Sequence, residues 1–544
     1  MMTGGEAVAR TLENLGVTHV FGIVSVHNLP TYEALTRSEK ITVIRSRHEQ
    51  GAAHAADAMA RATGRLGVVL TSTGPGAANA VAGLYEASFG SSPVLMITGQ
   101  AETRFYGKGK GFLHENERQV EMLRSVTRRV ETVRRTDDIG LVLTRVVGDM
   151  RTGRPQPGAV EIPIDLQYGT ADIVVPEPRE VARLVPDPAL ISQAVELLQG
   201  AERPIIWAGG GVVSADASAE LVALAEKLNA PVVTTFEGRG SIPEDHHLCI
   251  GPRTDRRDIG PVFEEADVML AVGTRFQNYA TRVWQLRLPE QLIHIDADPH
   301  MIGLNYPAKV PVVGDAKLAL AAIGAAVTGG TTDPGFVDRT QKALEADVEQ
   351  TWEEVGPDHR RIASIVRDLL PRDANIVRDS TVPVYLWGNR VLPILEPRTS
   401  IRPSSVAIGP GMAMAVGAAA GSGRRTLLMQ GDGGLMLGIG EMVVAAEYDL
   451  PIIVCIFNDR GYGVLRQIQT AVMDDTFGVD LHTPDFVKVA DGMGIAAEAV
   501  VGVDQFEAAF ARAVERPGPT VLDIDLTALA PMTFPIPPHQ RKSR

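Results

Sequence analysis

Short apolar runs alternate with stretches of helical periodicity along most of the chain. From Val17 to about Tyr168 the runs are ITVI at 41–44, GVVL at 67–70 and VLMIT at 94–98. Such alternation predicts parallel strands with helices on both faces of a sheet. A second series has IIWA at 205–208, PVVTT at 231–235, VMLAV at 268–272 and LIHID at 292–296. Between the two lies the proline-rich, acidic stretch Val185-Pro186-Asp187-Pro188, which reads as a linker. The Gly- and Thr-rich string from Gly329 to Gly335 reads as a second junction, leading into a polar helix near 338–355. A third block runs from about 360 to 530, and the proline-rich tail from Pro535 to Arg544 reads as extended. The expected fold class is α/β, with three doubly wound parallel-sheet domains over 1–175, 188–330 and 358–530.

The third block carries the strongest chemistry. Leu427-Leu428-Met429 reads as a short buried strand ending at Gly431-Asp432-Gly433-Gly434, where glycines allow a tight turn and close approach to a ligand. Met442, Ala445 and Ala446 then recur at helical spacing, and Leu450-Pro451 closes that helix. Ile452 to Phe457 reads as a second buried strand, which delivers Asn458, Asp459 and Gly461 to the same sheet edge as Asp432. Oxygen-rich groups there, beside glycine turns and a helix N-terminus, suit Mg2+ bridging to a diphosphate. A lone GDG turn is ordinarily a plain strand-to-helix connection. Two such turns, with 26 residues between Asp432 and Asp459, are far more specific.

Composition narrows the class without naming a reaction. At 544 residues the chain is too long for one core and fits about three domains. Hydrophobic content of 45% with 22% charged residues is ordinary for a globular enzyme. A net charge of −14 without a long basic block argues against nucleic acid or an anionic membrane as partner. Two cysteines, Cys249 and Cys455, are too few for a disulfide framework or a zinc site, and Cys455 reads as a core residue. No signal-like N-terminus and no run of 18 apolar residues stands out, so a cytoplasmic enzyme is expected.

The paired turns resemble the signature of thiamine diphosphate (ThDP) enzymes, in which GDG is followed by a second, asparagine-rich turn. The resemblance implies that Asp432, Asp459 and the Gly461 carbonyl hold Mg2+. Gly431, Gly433, Gly434, Tyr462 and Gly463 would then line the cofactor's diphosphate end. The family usually has Asn-Asn in the second turn. Asp459 still supplies oxygen but brings extra negative charge beside a diphosphate. Ser380 and Thr381, after the strand ANIV, fall where the diphosphate would be reached, although turn hydroxyls also cap helices. Ile408, within SSVAIGPGMAMAVGAAAG, falls where the family places a large apolar residue beneath the bent cofactor, and reads equally as a core isoleucine.

The first block is similar to the family's other half. VIRSRHE at 43–49 reads as a strand ending in polar residues, and GAAHAADAMARATG continues as an alanine-rich helix. Small residues at 52, 53, 56 and 60 would let that helix pack closely. Taken alone, Glu49 is a first-turn carboxylate favoured by the helix dipole. The resemblance makes it the glutamate that hydrogen-bonds the aminopyrimidine ring and promotes loss of the thiazolium C2 proton. The string Thr71-Ser72-Thr73-Gly74-Pro75-Gly76-Ala77-Ala78-Asn79 is similar to the family's TSGPGxxN turn, which brings Ser72, Gly74, Pro75 and Asn79 near the pyrimidine end. His27 and His114 lie in stretches that reach the substrate side in relatives, and Gln100, at the end of VLMITGQ, is a candidate polar wall of the pocket. A histidine there has a near-neutral pKa suited to proton transfer, whereas an isolated histidine is ordinarily structural.

The resemblance spans essentially the whole chain and implies pyrimidine-binding, central and diphosphate-binding domains. The middle block's Ala208-Gly209-Gly210-Gly211-Val212 looks like a dinucleotide turn but lacks full GxGxxG spacing. Gly273-Thr274-Arg275-Phe276 resembles a region used by FAD-binding members, so FAD is an alternative that is not favoured. The implied reaction is C–C bond cleavage or formation on a 2-oxo acid: decarboxylation, carboligation, or both, through an enamine. Acetolactate synthase proper, and a ThDP-binding protein without turnover, are the alternatives. Val26, Leu465 and Ile468 stand where subfamilies carry polar or aromatic groups, and with Val464 they predict a less polar substrate pocket than in the simple decarboxylases. Ser72 stands where benzoylformate decarboxylases carry a histidine. A homodimer or homotetramer with sites between chains is expected, with no nucleic acid and no membrane partner.

Overall fold

A computed structural model describes residues 1–177, 181–256, 258–329 and 333–534. The expected tail from Pro535 to Arg544 and positions 330–332 of the junction lie outside them.

Each block forms one six-stranded sheet in which every paired neighbour is parallel. In the first, Thr42–Arg45, His19–Gly22, Gly67–Thr71, Val94–Gln100, Gly158–Pro163 and Arg129–Thr132 lie side by side in that order. Numbered along the chain within the domain, the order is 2-1-3-4-6-5. The third sheet repeats it with Ser400–Ile401, Asn375–Arg378, Thr426–Gly431, Ile452–Asn458, Thr520–Asp525 and Ala496–Val500. The central sheet runs 3-2-1-4-5-6, an order shared with dinucleotide-binding folds. All the expected strand runs overlap observed strands, because four to six consecutive apolar residues suit a strand buried on both faces.

The junctions are shorter than the sequence suggests. Asp187 is already the cap of the helix Pro188–Gln199, its carboxylate accepting the Ala189 N–H at 2.8 Å. Asp333 likewise caps a helix that begins at Pro334 and continues to Val355. Proline at the first helical position after an acidic cap is a strong start signal, and both were read as linker.

One apolar core runs from the first domain into the third. The alanine-rich helix Glu49–Thr63 lies between the helices Pro75–Gly90 and Gly411–Ser422. A methyl group at Gly83 would overlap Ala53, and one at Gly417 would overlap the Ala55 carbonyl. Small residues on both sides therefore let three helices approach closely, as the spacing at 52, 53, 56 and 60 predicts. Polar contacts reinforce the seam. Arg61 pairs with Asp57 at 2.7 Å and Glu86 at 3.3 Å, and donates to the Arg402 carbonyl at 2.8 Å. Glu86 in turn accepts from the backbone of Ser404 and Ser405. Cys455 is buried in the third core, and both cysteines are free. Among the described residues no helix is long and apolar enough to cross a membrane.

Candidate active site

Two groups of side chains collect at the carboxyl edges of the first and third sheets, where doubly wound folds bind ligands. In the third domain, the strand Thr426–Gly431 passes directly into the short helix Asp432–Met436. Asp432 is fully buried. Its Oδ1 accepts the Asp459 N–H at 3.3 Å, while its Oδ2 has no hydrogen-bond partner among the described residues. Asp459 follows the strand Ile452–Asn458, with its Oδ2 3.7 Å from Arg466. Burial, and then the charge of Asp432, push the Asp459 carboxyl up to about 6. Burial also raises Asp432.

Around these carboxylates the turns are tightly fitted. A side chain at Gly433 would stand 2.8 Å from the Tyr462 ring and 3.1 Å from the Gly461 carbonyl. One at Gly463 would overlap the Asp459 carboxylate. Gly461 has φ +156, in the range that side chains rarely adopt, and a side chain there would overlap the Val479 carbonyl. Thr381 lies 3.3 Å from the Cβ position of Gly431, and Ile408 3.4 Å from that of Gly434. Ser380 accepts the Tyr385 hydroxyl at 3.0 Å. Ile408 is 40% exposed, so it presents an apolar surface beside the turn and is not a core residue. A buried carboxylate oxygen without a partner, next to a second carboxylate and a backbone carbonyl, is a donor set suited to a hard divalent cation. Among the described residues no cluster of three His, Cys, Asp or Glu could hold a metal by itself.

The first-domain group centres on Glu49, first residue of its helix, whose Oε2 accepts the Asn79 amide at 3.0 Å. A methyl at Gly76 would stand 3.0 Å from both Glu49 Oε1 and Ser72 Cβ, so Pro75 and Gly76 bring the turn against the glutamate. Ser72 is the hub of the rest. Its hydroxyl lies 2.7 Å from Ser25, 3.3 Å from His27 Nδ1 and 3.5 Å from His114 Nδ1. The two imidazole rings are 5.3 Å apart. Burial, and then the nearby His114, lower the His27 pKa, so His27 is neutral at pH 7. Gly74 (φ +56) lets the turn pass under the His114 carbonyl, which a side chain there would overlap.

Gln100 lies behind this turn. It is buried and donates to Glu161 at 2.9 Å, while Gln119 accepts the Gly74 N–H at 2.8 Å and also donates to Glu161. Gln100 thus belongs to a buried network that holds the Ser72–Gly74 turn from beneath. Gln119 and Glu161 were not singled out by sequence reading, since nothing in their local pattern marks a buried polar pair. Asp379 was missed as well. It sits between Arg378 and Ser380, and its carboxylate accepts the Gly411 N–H at 2.6 Å and the Gln430 amide at 2.9 Å. Burial raises it to about 6. It fastens the Ile408 loop to the Asp432 strand. An acid directly after a buried strand was the available signal.

Among the described residues no hydrogen bond or ion pair joins the Glu49 group to the Asp432 group. In the central domain, a side chain at Gly211 would stand 2.6 Å from the Gly273 backbone, and Gly209 is as close. Packing of these two turns on each other accounts for Gly209 and Gly211 of the apparent dinucleotide motif.

Three family models match in order along the chain. They are the N-terminal TPP binding domain of thiamine pyrophosphate enzymes over residues 2–122, their central domain over 191–323, and their C-terminal TPP binding domain over 383–524. A probable acetolactate synthase large subunit of Methanocaldococcus jannaschii is 31% identical, covering 98% of this chain and 94% of that protein. A probable 2-ketoarginine decarboxylase of Pseudomonas aeruginosa is also 31% identical, covering 96% and 94%. An X-ray structure from Mycobacterium smegmatis, assigned as a thiamin diphosphate-dependent enzyme, superposes with a TM-score of 0.79 at 25% identity, over 96% of this chain and 99% of that one. With three matching domain models and full-length relatives, the chain belongs to the thiamine pyrophosphate enzymes.

Proposed function

We propose that this enzyme uses ThDP and Mg2+ to break or form a C–C bond next to the carbonyl of a 2-oxo acid, by decarboxylation, carboligation or both. The observation that carries the reading is the unpartnered, buried Asp432 Oδ2 beside Asp459, on a sheet edge equivalent to the one that carries Glu49. When bound, ThDP supplies a nucleophilic carbon and an electron sink for the reacting carbonyl. The protein's part is placement and proton control. Asp432, Asp459 and the Gly461 carbonyl would hold the metal, with Ser380 and Thr381 alongside the diphosphate. Glu49, held by Asn79, would hold and return a proton at the pyrimidine end. His27, His114 and Ser72 would meet the substrate, with neutral His27 able to accept a proton.

Among the described residues no hydrogen bond or ion pair joins the Glu49 and Asp432 groups within one chain, which is compatible with a dimer or tetramer that joins them across subunits. Exposed Val24, Val26 and Leu113 on the first-domain side, and Ile408, Met436 and Leu437 on the third, are the apolar surfaces such an assembly would cover. A monomer with full activity on size-exclusion chromatography would contradict this. The names of the relatives favour acetolactate synthase activity as the second reading.

Protein reconstituted with ThDP and Mg2+ tests both. Pyruvate, 2-oxobutyrate, branched 2-oxo acids and benzoylformate would be scored for carbon dioxide release and product mass. An aldehyde identifies a decarboxylase, and an acetohydroxy acid or hydroxyketone identifies a carboligase. No release from any of them defeats the reading.

A further inference from the structure

Beside the Asp432 turn, the third sheet carries two buried arginines that the reading above does not use. A cleft at the same carboxyl edge is lined by Arg378, Ser380, Tyr385, Asn389, Arg402 and Val406. Arg378 ends the strand Asn375–Arg378 and is 1% exposed. It donates to the Gly388 carbonyl at 3.2 Å and to the Ser400 hydroxyl, but its Nε has no partner among the described residues. Arg402 is 9% exposed and stacks its guanidinium over the Phe236 ring at 4.6 Å. It forms no side-chain hydrogen bond or salt bridge among the described residues.

The carboxylates nearby are committed elsewhere. Glu244 is held by Arg239 at 2.6 Å, Asp255 by Arg390 at 2.6 Å, and Asp379 by backbone amides and Gln430. Two guanidinium groups thus share one cleft; Glu244 and Glu237 act on Arg378 only through space, and no carboxylate among the described residues pairs with either arginine. Burial, and then Arg239 and Arg402, depress the Arg378 pKa. Buried cations are costly unless paired, and arginine's planar fork matches carboxylate and phosphate oxygens. Tyr385, through its bond to Ser380, links the cleft to the residues proposed for the diphosphate.

We propose that Arg378 and Arg402 form an oxyanion subsite that takes a phosphate or carboxylate group of a ligand bound at this edge. Two sources share that chemistry: the terminal phosphate of the cofactor, and a second acidic group on the substrate. Only the choice between them rests on the function proposed above.

The first test needs no turnover. Inorganic phosphate would be titrated calorimetrically into the wild-type protein and into Arg402→Gln and Arg402→Lys, each checked for an unchanged melting curve. Loss of a charged hydrogen-bonding partner predicts binding weaker by about 10-fold or more in Arg402→Gln, with Arg402→Lys retaining most of it. Equal binding by all three proteins, or none by the wild type, overturns the subsite. The second test separates the sources. ThDP affinity would be read by tryptophan fluorescence, and kcat/KM compared for 2-oxobutyrate and 2-oxoglutarate. Weaker ThDP binding in Arg402→Gln assigns the subsite to the cofactor. A selective loss of 2-oxoglutarate turnover assigns it to the substrate. If the wild type turns over none of the 2-oxo acids, the panel above included, while phosphate binding still depends on Arg402, the proposed function fails and the subsite stands.

Discussion

The Glu441 carboxylate reaches from the third domain to the turn that starts the Glu49 helix, accepting the N–H groups of Arg47 at 3.0 Å and His48 at 3.1 Å. Its other oxygen is buried without a partner, and burial raises its pKa. Glu441→Ala leaves two amides unsatisfied in an interdomain seam and should cost about 1–3 kcal/mol in urea unfolding. Glu441→Gln keeps an acceptor and should cost less. A methyl at Gly51 would stand 2.5 Å from Glu441 Oε1, so Gly51→Ala should imitate the Glu441→Ala loss. Wild-type unfolding in both Ala variants would show that this contact contributes nothing.

Asp459 gives a pH signature. Its folded carboxyl lies near 6 and its ordinary value is 3.8, so the folded state holds the proton more tightly. Relative to its value below pH 4, stability falls as pH rises through about 6. A shift of this size corresponds to about 3 kcal/mol at most. Asp379 and Asp296 shift in the same direction, so the wild-type curve is a sum. Asp459→Asn isolates one contribution: in EDTA its urea midpoint should exceed wild type above pH 6 and match it near pH 4. Mg2+ with ThDP should narrow the gap. Parallel curves at every pH would show that the Asp432–Asp459 repulsion is not felt.

Glu49→Gln preserves shape and the contact with Asn79 but removes the carboxylate. Loss of a positioned acid–base group predicts a fall in kcat of about 100-fold or more, with ThDP affinity little changed. Steady-state rates and a cofactor titration check both halves. Unchanged turnover would remove Glu49 from the chemistry.

Gly417 sits where two helices from different domains nearly touch. Gly417→Ala should force them apart and cost about 1–3 kcal/mol, with the larger loss in activity, because the Glu49 helix moves. A melting curve identical to wild type would mean that the interface yields without cost.

The local code was readable where chemistry and backbone coincide. Apolar runs predicted strands at Val94, Val268 and Ile452 because parallel strands buried on two faces tolerate little else. The Asp432 and Asp459 turns were legible because glycines and oxygen-bearing side chains cluster at fixed spacing. Helix starts at Pro188 and Pro334 were hidden by reading proline and acid as linker. Glu441, Asp379, Gln119 and Arg402 were hidden for another reason. Each acts on a partner distant in sequence or in another strand, and only the packed structure shows which lone polar residue has become buried.

The first and third sheets share one strand order, and each presents its reactive side chains at the corresponding edge. In the proposed function the site is therefore two copies of one scaffold, one given over to proton handling and the other to anion and metal handling. Such a division makes the two tasks separately adjustable: Asp can stand at 459 on one copy without disturbing the Glu49–Asn79 contact on the other.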